Sequence, residues 1–178
     1  MSFSDPRIQS RWKVMEEGRM SLLDHISSLD SHQLRTRPPE GTWCLLELIE
    51  HLQLVDQQIL EVLPRHQISA RLHLVDYAKY LALLIAMEIP FKFKAPRSTT
   101  SREIPTHADL LFKKWAITRF DWFEYLEKAP VAYNSHAVFT HPRAGRMTLP
   151  QTLFWMTRHQ KRHIRQALRI ITQIASAP

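Results

Sequence analysis

His159 and His163 stand four residues apart near the C-terminal end of the chain. On a helix that spacing stacks them one turn apart on one side, where two imidazoles can converge on a single ion. Met156, Ala167 and Ile170 share their face at spacings of three and four, so the pair lies on an apolar stripe. His51 comes three residues after Leu48 and four before Val55, on or beside a second apolar stripe. Packing these two helices together would bring three imidazoles into the interior. A buried polar group without a partner costs about 1–3 kcal/mol, and protonated rings would repel one another. A divalent ion removes both difficulties, because neutral imidazole nitrogens are good ligands for Zn, Ni, Fe or Cu. Three protein ligands leave coordination positions for water or substrate, which is the arrangement of a reactive site.

Taken singly, each signal has a plainer reading. A His-x-x-x-His pair on a basic helix is otherwise a surface feature, and a lone His51 a hydrogen-bonded core residue. Glu47, one turn before His51 on the same face, is the nearest obvious carboxylate. It is a candidate catalytic base, an acceptor that orients an imidazole, or simply a surface residue. Gln160 stands where a zinc peptidase of the His-Glu-x-x-His type carries its glutamate, which excludes that class.

Four amphipathic segments must position these residues. Asp5 and Pro6 read as a helix start, followed by Ile8, Trp12, Met15, Arg19, Leu22, Ile26 and Leu29 at alternating spacings of four and three. A turn follows at Pro38, Pro39 and Gly41. Thr42 then caps a second helix that carries Leu45, Leu48, Leu52, Val55, Ile59 and Val62 until Pro64. The third opens near Pro105 and Thr106, with Leu111, Trp115, Thr118, Trp122 and Tyr125 on one face. The fourth opens at Thr148, Leu149 and Pro150 and holds the histidine pair. Between the second and third lies an excursion over 65–104, too long for an unstructured bundle loop. Its middle, 72–87, reads as a further short helix or two, whereas 90–96 and the Ser/Thr/Arg stretch after it read as extended and solvent-facing. Arg19 and Arg119 fall on inward stripes, where buried ion pairing or snorkelling is expected. Trp43 is expected to pack where the second helix begins, with walling the pocket as the lesser alternative.

The chain of 178 residues, 44% hydrophobic and 23% charged, suits one globular domain spanning 1–178. Its three glycines exclude a dinucleotide fingerprint and a P-loop, which need clustered glycines against phosphate. A single cysteine, Cys44, excludes an internal disulfide and a thiolate metal knot. The polar start does not read as a secretory signal, and the longest apolar run, 81–87, is far short of the roughly 20 residues of a membrane span. A cytoplasmic location without membrane attachment is the expectation. Ten histidines are the compositional anomaly. The net charge of +7 keeps anionic ligands and nucleic acid open as partners. Arg158, Arg162, Arg165 and Arg169 recur as one face of the last helix, however, and no nucleic-acid-reading motif accompanies them. They read as a solvated face.

Arg37, Pro38, Trp43, Cys44, Glu47, His51 and Leu52 resemble the R-P-x-x-x-x-W-S-x-x-E-x-x-x-H-L signature of the DinB/YfiT-like superfamily. His141 to Leu149, and then His159, Gln160, His163 and Gln166, resemble a second block of that superfamily, and Trp115 with Arg119 its W-x-x-x-R. Cys44 departs from the serine found more often there. The resemblance implies an all-α, four-helix-bundle fold with up-down-down-up topology, its long crossover between the second and third helices, usually as a homodimer. It also implies a divalent metal ion, Zn or Ni first and then Fe or Mn, held by His51, His159 and His163. Relatives of this type use a low-molecular-weight thiol as cofactor. The expected function is therefore a metal-dependent enzyme that activates a thiol or water toward a small-molecule substrate, most of all a thiol S-transferase. A metal-dependent hydrolase is the second reading, and a non-catalytic metal-binding or nucleic-acid-binding helical bundle the third.

Overall fold

A computed structural model describes residues 3, 5–38, 43–64, 70–89, 97–100 and 103–175. Of the described residues 74% are helical, which sets the class as all-α. Helix α1 runs over Pro6–Ile26; the Asp5 carboxylate accepts from the Arg7 backbone N–H at 2.7 Å, and Pro6 fills the first helical position. The first segment was expected to continue through Leu29. Instead it ends at Ile26, and a short α2, Ser31–Arg35, follows from a capping box between Asp30 and Gln33.

Helix α3 covers Leu45–Val62 and is capped by Cys44. The expected cap, Thr42, and the rest of that turn at 39–42 lie outside the described residues. The excursion forms one helix, α4, over Leu74–Glu88. Segment 90–96 lies outside the described residues, but Arg97–Thr99 forms a 3-10 turn against α3 with Thr99 buried. The Ser/Thr/Arg stretch is thus not solvent-facing throughout, because Thr99 has a structural task described below. Helix α5 covers Ala108–Lys128 and α6 Leu149–Ala175. A hairpin that periodicity did not reveal, β1 Phe139–His141 paired with β2 Gly145–Met147, precedes α6. Each strand has only three residues, too few for alternation to register. Gly145, at φ 72°, makes its turn, and an added Cβ there would also press on Asp76 of α4 at 3.2 Å.

Helices α1 and α6 lie along one another, and α3 packs on both α5 and α6. The core has two apolar clusters. One includes Met15, Val55, Ile59, Trp122, Leu126, Leu153 and Met156; the other includes Leu22, Leu45, Leu48, Leu52, Trp115, Ala167 and Ile170. Along α1 and α6 the chain meets the first cluster and then the second, whereas along α3 and α5 the order is reversed. Between the clusters sits a polar node drawn from all four long helices. Arg119 of α5 pairs with Asp56 of α3 at 2.9 Å, faces Glu16 of α1 at 3.5 Å and donates to Gln160 of α6 at 2.7 Å. Trp115 Nε1 donates to the Asp56 carboxylate at 2.7 Å and Trp122 Nε1 to its backbone carbonyl at 2.9 Å. Burial pushes the Asp56 carboxyl up against the opposing pull of Arg119. The inward arginines are thus ion-paired as expected, Arg19 with Glu16 at 2.8 Å.

Candidate metal centre

His51 comes from the middle of α3 and His159 and His163 from the middle of α6, where those helices pack side by side. His51 is 3% exposed, with its two partners half-buried on the facing helix. Nε2 of His159 lies 3.3 Å from Nε2 of His51 and 3.2 Å from Nε2 of His163. The outer nitrogens explain this convergence. Nδ1 of His51 donates to the Thr99 carbonyl at 2.7 Å, and Nδ1 of His163 donates to Gln166 Oε1 at 3.0 Å. Each proton held on Nδ1 leaves a bare lone pair on Nε2, and those lone pairs face one another. Burial lowers the His51 pKa, while burial and the neighbouring rings lower those of His159 and His163, the last to about 3. The rings are therefore neutral near pH 7, the form that ligates metal.

The three residues could hold a metal ion, with ligand atoms all within 4.8 Å of one another. A Zn–N bond of about 2.0–2.1 Å and a tetrahedral angle would separate neighbouring ligand nitrogens by about 3.3 Å. The His159 separations agree with that figure. The donor set therefore fits a first-row divalent ion, and the carbonyl and amide behind His51 and His163 are the outer acceptors such ligands use.

The triad opens into a cleft of about 1510 Å³ between α3, α4, α6 and the hairpin, ample for an organic substrate. Trp43 walls it, its ring 5.0 Å from that of His51 and 6.3 Å from that of His163, the lesser of the two roles expected for it. Trp155, one turn before His159, stacks on that imidazole at 5.1 Å. His141, at the end of β1, packs edge-on to Trp155 at 4.8 Å and lines the same cleft.

Glu47 stands elsewhere in the chemistry. One carboxylate oxygen accepts from the Cys44 backbone N–H at 2.8 Å and the other from Arg37 at 2.5 Å. It closes the first turn of α3 and holds the preceding segment down. Cys44 itself is fully buried, and burial pushes its thiol pKa up, so it is no nucleophile. The arginine face of α6 is not simply solvated. Arg158 pairs with Glu88, and Arg162 donates to the Met87 and Ile89 carbonyls at 3.0 and 3.1 Å, which ties down the end of α4. Arg165 and Arg169 are exposed as expected. His136 is half-buried and turned toward the Ala132 carbonyl.

Thr99, Gln166 and Trp155 are the site residues that spacing did not single out, whereas His141, readable as a loop histidine just before α6, does reach the cleft. Gln166, three residues after His163, and Trp155, four before His159, carry a readable helical signal. The Thr99 contribution is a backbone carbonyl and has none.

Fold and site together define a mostly helical protein with a candidate three-histidine metal centre in an open cleft. Residues 15–167 match the DinB superfamily, and the chain belongs to it. No curated protein matches the chain.

Proposed function

We propose that the protein is a metal-dependent enzyme that activates a thiol at the three-histidine centre, as a thiol S-transferase does. The observation that carries this reading is the convergence of three Nε2 atoms, that of His159 lying 3.2–3.3 Å from each of the other two, on the floor of an open cleft. A divalent ion bound there would lower the pKa of a thiol or water that joins it, so that the reactive anion forms near neutral pH. Among the described residues the only carboxylates lining the cleft are Glu61 and Glu88; Glu88 is paired with Arg158, and Glu61 lies almost three turns beyond His51 on α3. Hydrolysis calls for a base close to the attacking water, whereas a thiol is acidic enough to ionise without one. That favours thiol transfer over hydrolysis. The buried Cys44 cannot supply the sulfur, so the thiol comes from a dissociable cofactor. His51, His159 and His163 hold the ion, Thr99 and Gln166 fix two of the rings, and Trp43 and Trp155 exclude water around them.

The reversed order in which α1 and α6, against α3 and α5, meet the two core clusters supports an up-down-down-up four-helix bundle, with α4 carried on the crossover. A homodimer belongs to the same reading; Leu74, Leu81 and Ile85, 88%, 59% and 57% exposed on α4, offer apolar surface for pairing to bury. Sedimentation of the purified protein would measure a two-chain mass, and a one-chain mass at micromolar concentration would exclude it.

The test is elemental analysis after dialysis, followed by assay of thiol cofactors against an electrophile panel with esters and amides in parallel. One divalent ion per chain and thiol-dependent turnover are expected. His163→Ala should lose the ion while keeping its circular-dichroism helix signal, because the substitution removes a ligand at a half-buried position. Stoichiometric metal retained in that variant would overturn the assignment.

A further inference from the structure

Among the described residues His141 is the one imidazole in the cleft outside the triad, and its protonation pattern is fixed. Its Nδ1 accepts two backbone N–H groups of the hairpin turn, from Arg143 and Ala144, both at 3.1 Å. An atom accepting two hydrogen bonds cannot carry a proton of its own, so in the neutral ring the proton sits on Nε2. That N–H has no acceptor among the described residues. The ring stands edge-on to Trp155, which in turn stacks on His159. Burial and the neighbouring Arg143 push its pKa down to about 4, so it stays neutral near pH 7 and does not add a positive charge beside a divalent ion.

We propose that the cleft seats a carboxylate of its ligand on the Nε2–H of His141, beside the three-histidine centre. Among the described residues the charged groups lining the cleft are Arg143, Arg146, Arg162, Arg165 and Arg169 against Glu61 and Glu88, an excess of positive charge that favours an anion. Two of these arginines are already engaged in holding α4, Arg146 by Asp76 at 2.9 Å and Arg162 by the carbonyls at its end. What remains is one fixed neutral donor in a diffuse positive field. That suits a planar, singly charged carboxylate, whereas a phosphate dianion calls for several converging donors. The inference deepens the proposed function by adding a carboxylate to the thiol or its co-substrate, and rests on that function only for the reacting end of the ligand.

The experiment has two arms. In the first, the metal-free protein is titrated with propionate while the histidine ring nitrogens are followed by long-range proton–nitrogen NMR; a protonated Nε2 on His141 that shifts with propionate is expected. In the second, protein loaded with Co(II) is titrated with 3-mercaptopropionate and with 3-mercaptopropionamide, which differ only in the charged group. The acid should bind at least tenfold more tightly. His141→Asn should erase that preference, because its Oδ1 can still accept the turn N–H groups while no donor reaches the Nε2 position; Co(II) stoichiometry and the affinity for the amide should not change. His141→Gln, whose amide N–H reaches the Nε2 position, should restore part of the preference. Equal affinity of the wild-type protein for the two thiols, a preference that survives in His141→Asn, or a His141 signal unmoved by propionate would overturn the proposal. Absence of Co(II) binding would overturn the proposed function instead, and the propionate arm would still decide the carboxylate seat.

Discussion

With the Nδ1 protons of His51 and His163 donated outward to Thr99 and Gln166, the inner nitrogens are committed before any ion arrives. Gln166→Ala removes one of these anchors without touching a ligand. It should weaken metal binding about 10–100-fold, measured by competition with a chromophoric chelator, and leave the fold intact. The same neutrality gives a pH signature in the metal-free protein. His163 and His141 are held neutral in the fold down to about 3 and about 4, whereas in the unfolded chain they protonate near 6.5. Their folded-state pKa values are lowered, so between those limits the unfolded chain binds more protons. Stability is therefore full above about pH 7 and falls on acidification, by about 1.4 kcal/mol per pH unit for each such ring. Urea midpoints measured from pH 7.5 to 4.5 should decline; midpoints that stay level would contradict burial of neutral imidazoles.

At the scale of elements, the site depends on how closely helices approach. Gly18 of α1 faces α6, and an added Cβ would come within 2.9 Å of the Gln160 amide and 3.2 Å of Ile164. That amide is not free to swing away, because Gln160 donates to the Met15 carbonyl at 2.7 Å and accepts from Arg119. Gly18→Ala should gain up to about 1 kcal/mol in helix propensity and lose about 1–3 kcal/mol to crowding. A net destabilisation is expected in thermal unfolding. The four long helices and the histidine-bearing face of α6 were legible because a 3.6-residue period over five or more turns leaves a redundant trace, as Leu45 to Val62 shows. The hairpin, the short α2 and the Thr99 turn were not, because three to five residues carry too few apolar repeats and a backbone carbonyl has no residue type. Glu47 shows the complementary failure. Four residues before His51 it fitted a catalytic base, and three residues after Cys44 it fitted a capping glutamate, a distinction that periodicity cannot make.

Across the whole molecule, the node of Glu16, Asp56, Arg119 and Gln160 takes one side chain from each long helix and joins the two core clusters. Removing one member leaves an uncompensated buried charge. Asp56→Ala should cost about 3–5 kcal/mol in denaturant unfolding and lower the unfolding temperature accordingly, whereas substitutions at the exposed Arg165 should cost almost nothing. Helix α4 is attached differently, by Asp76 to Arg146, Glu88 to Arg158, and its final carbonyls to Arg162, with much of its apolar outer face uncovered. It forms one side of the cleft, and the Thr99 turn that follows it in the chain grips His51. A guest bulky enough to push that crossover outward would tug on an imidazole as it settled. Ligand size and grip on an ion held by the three histidines would thereby be linked, and a homologue that trimmed the crossover to a short loop would need another hand to hold that ring.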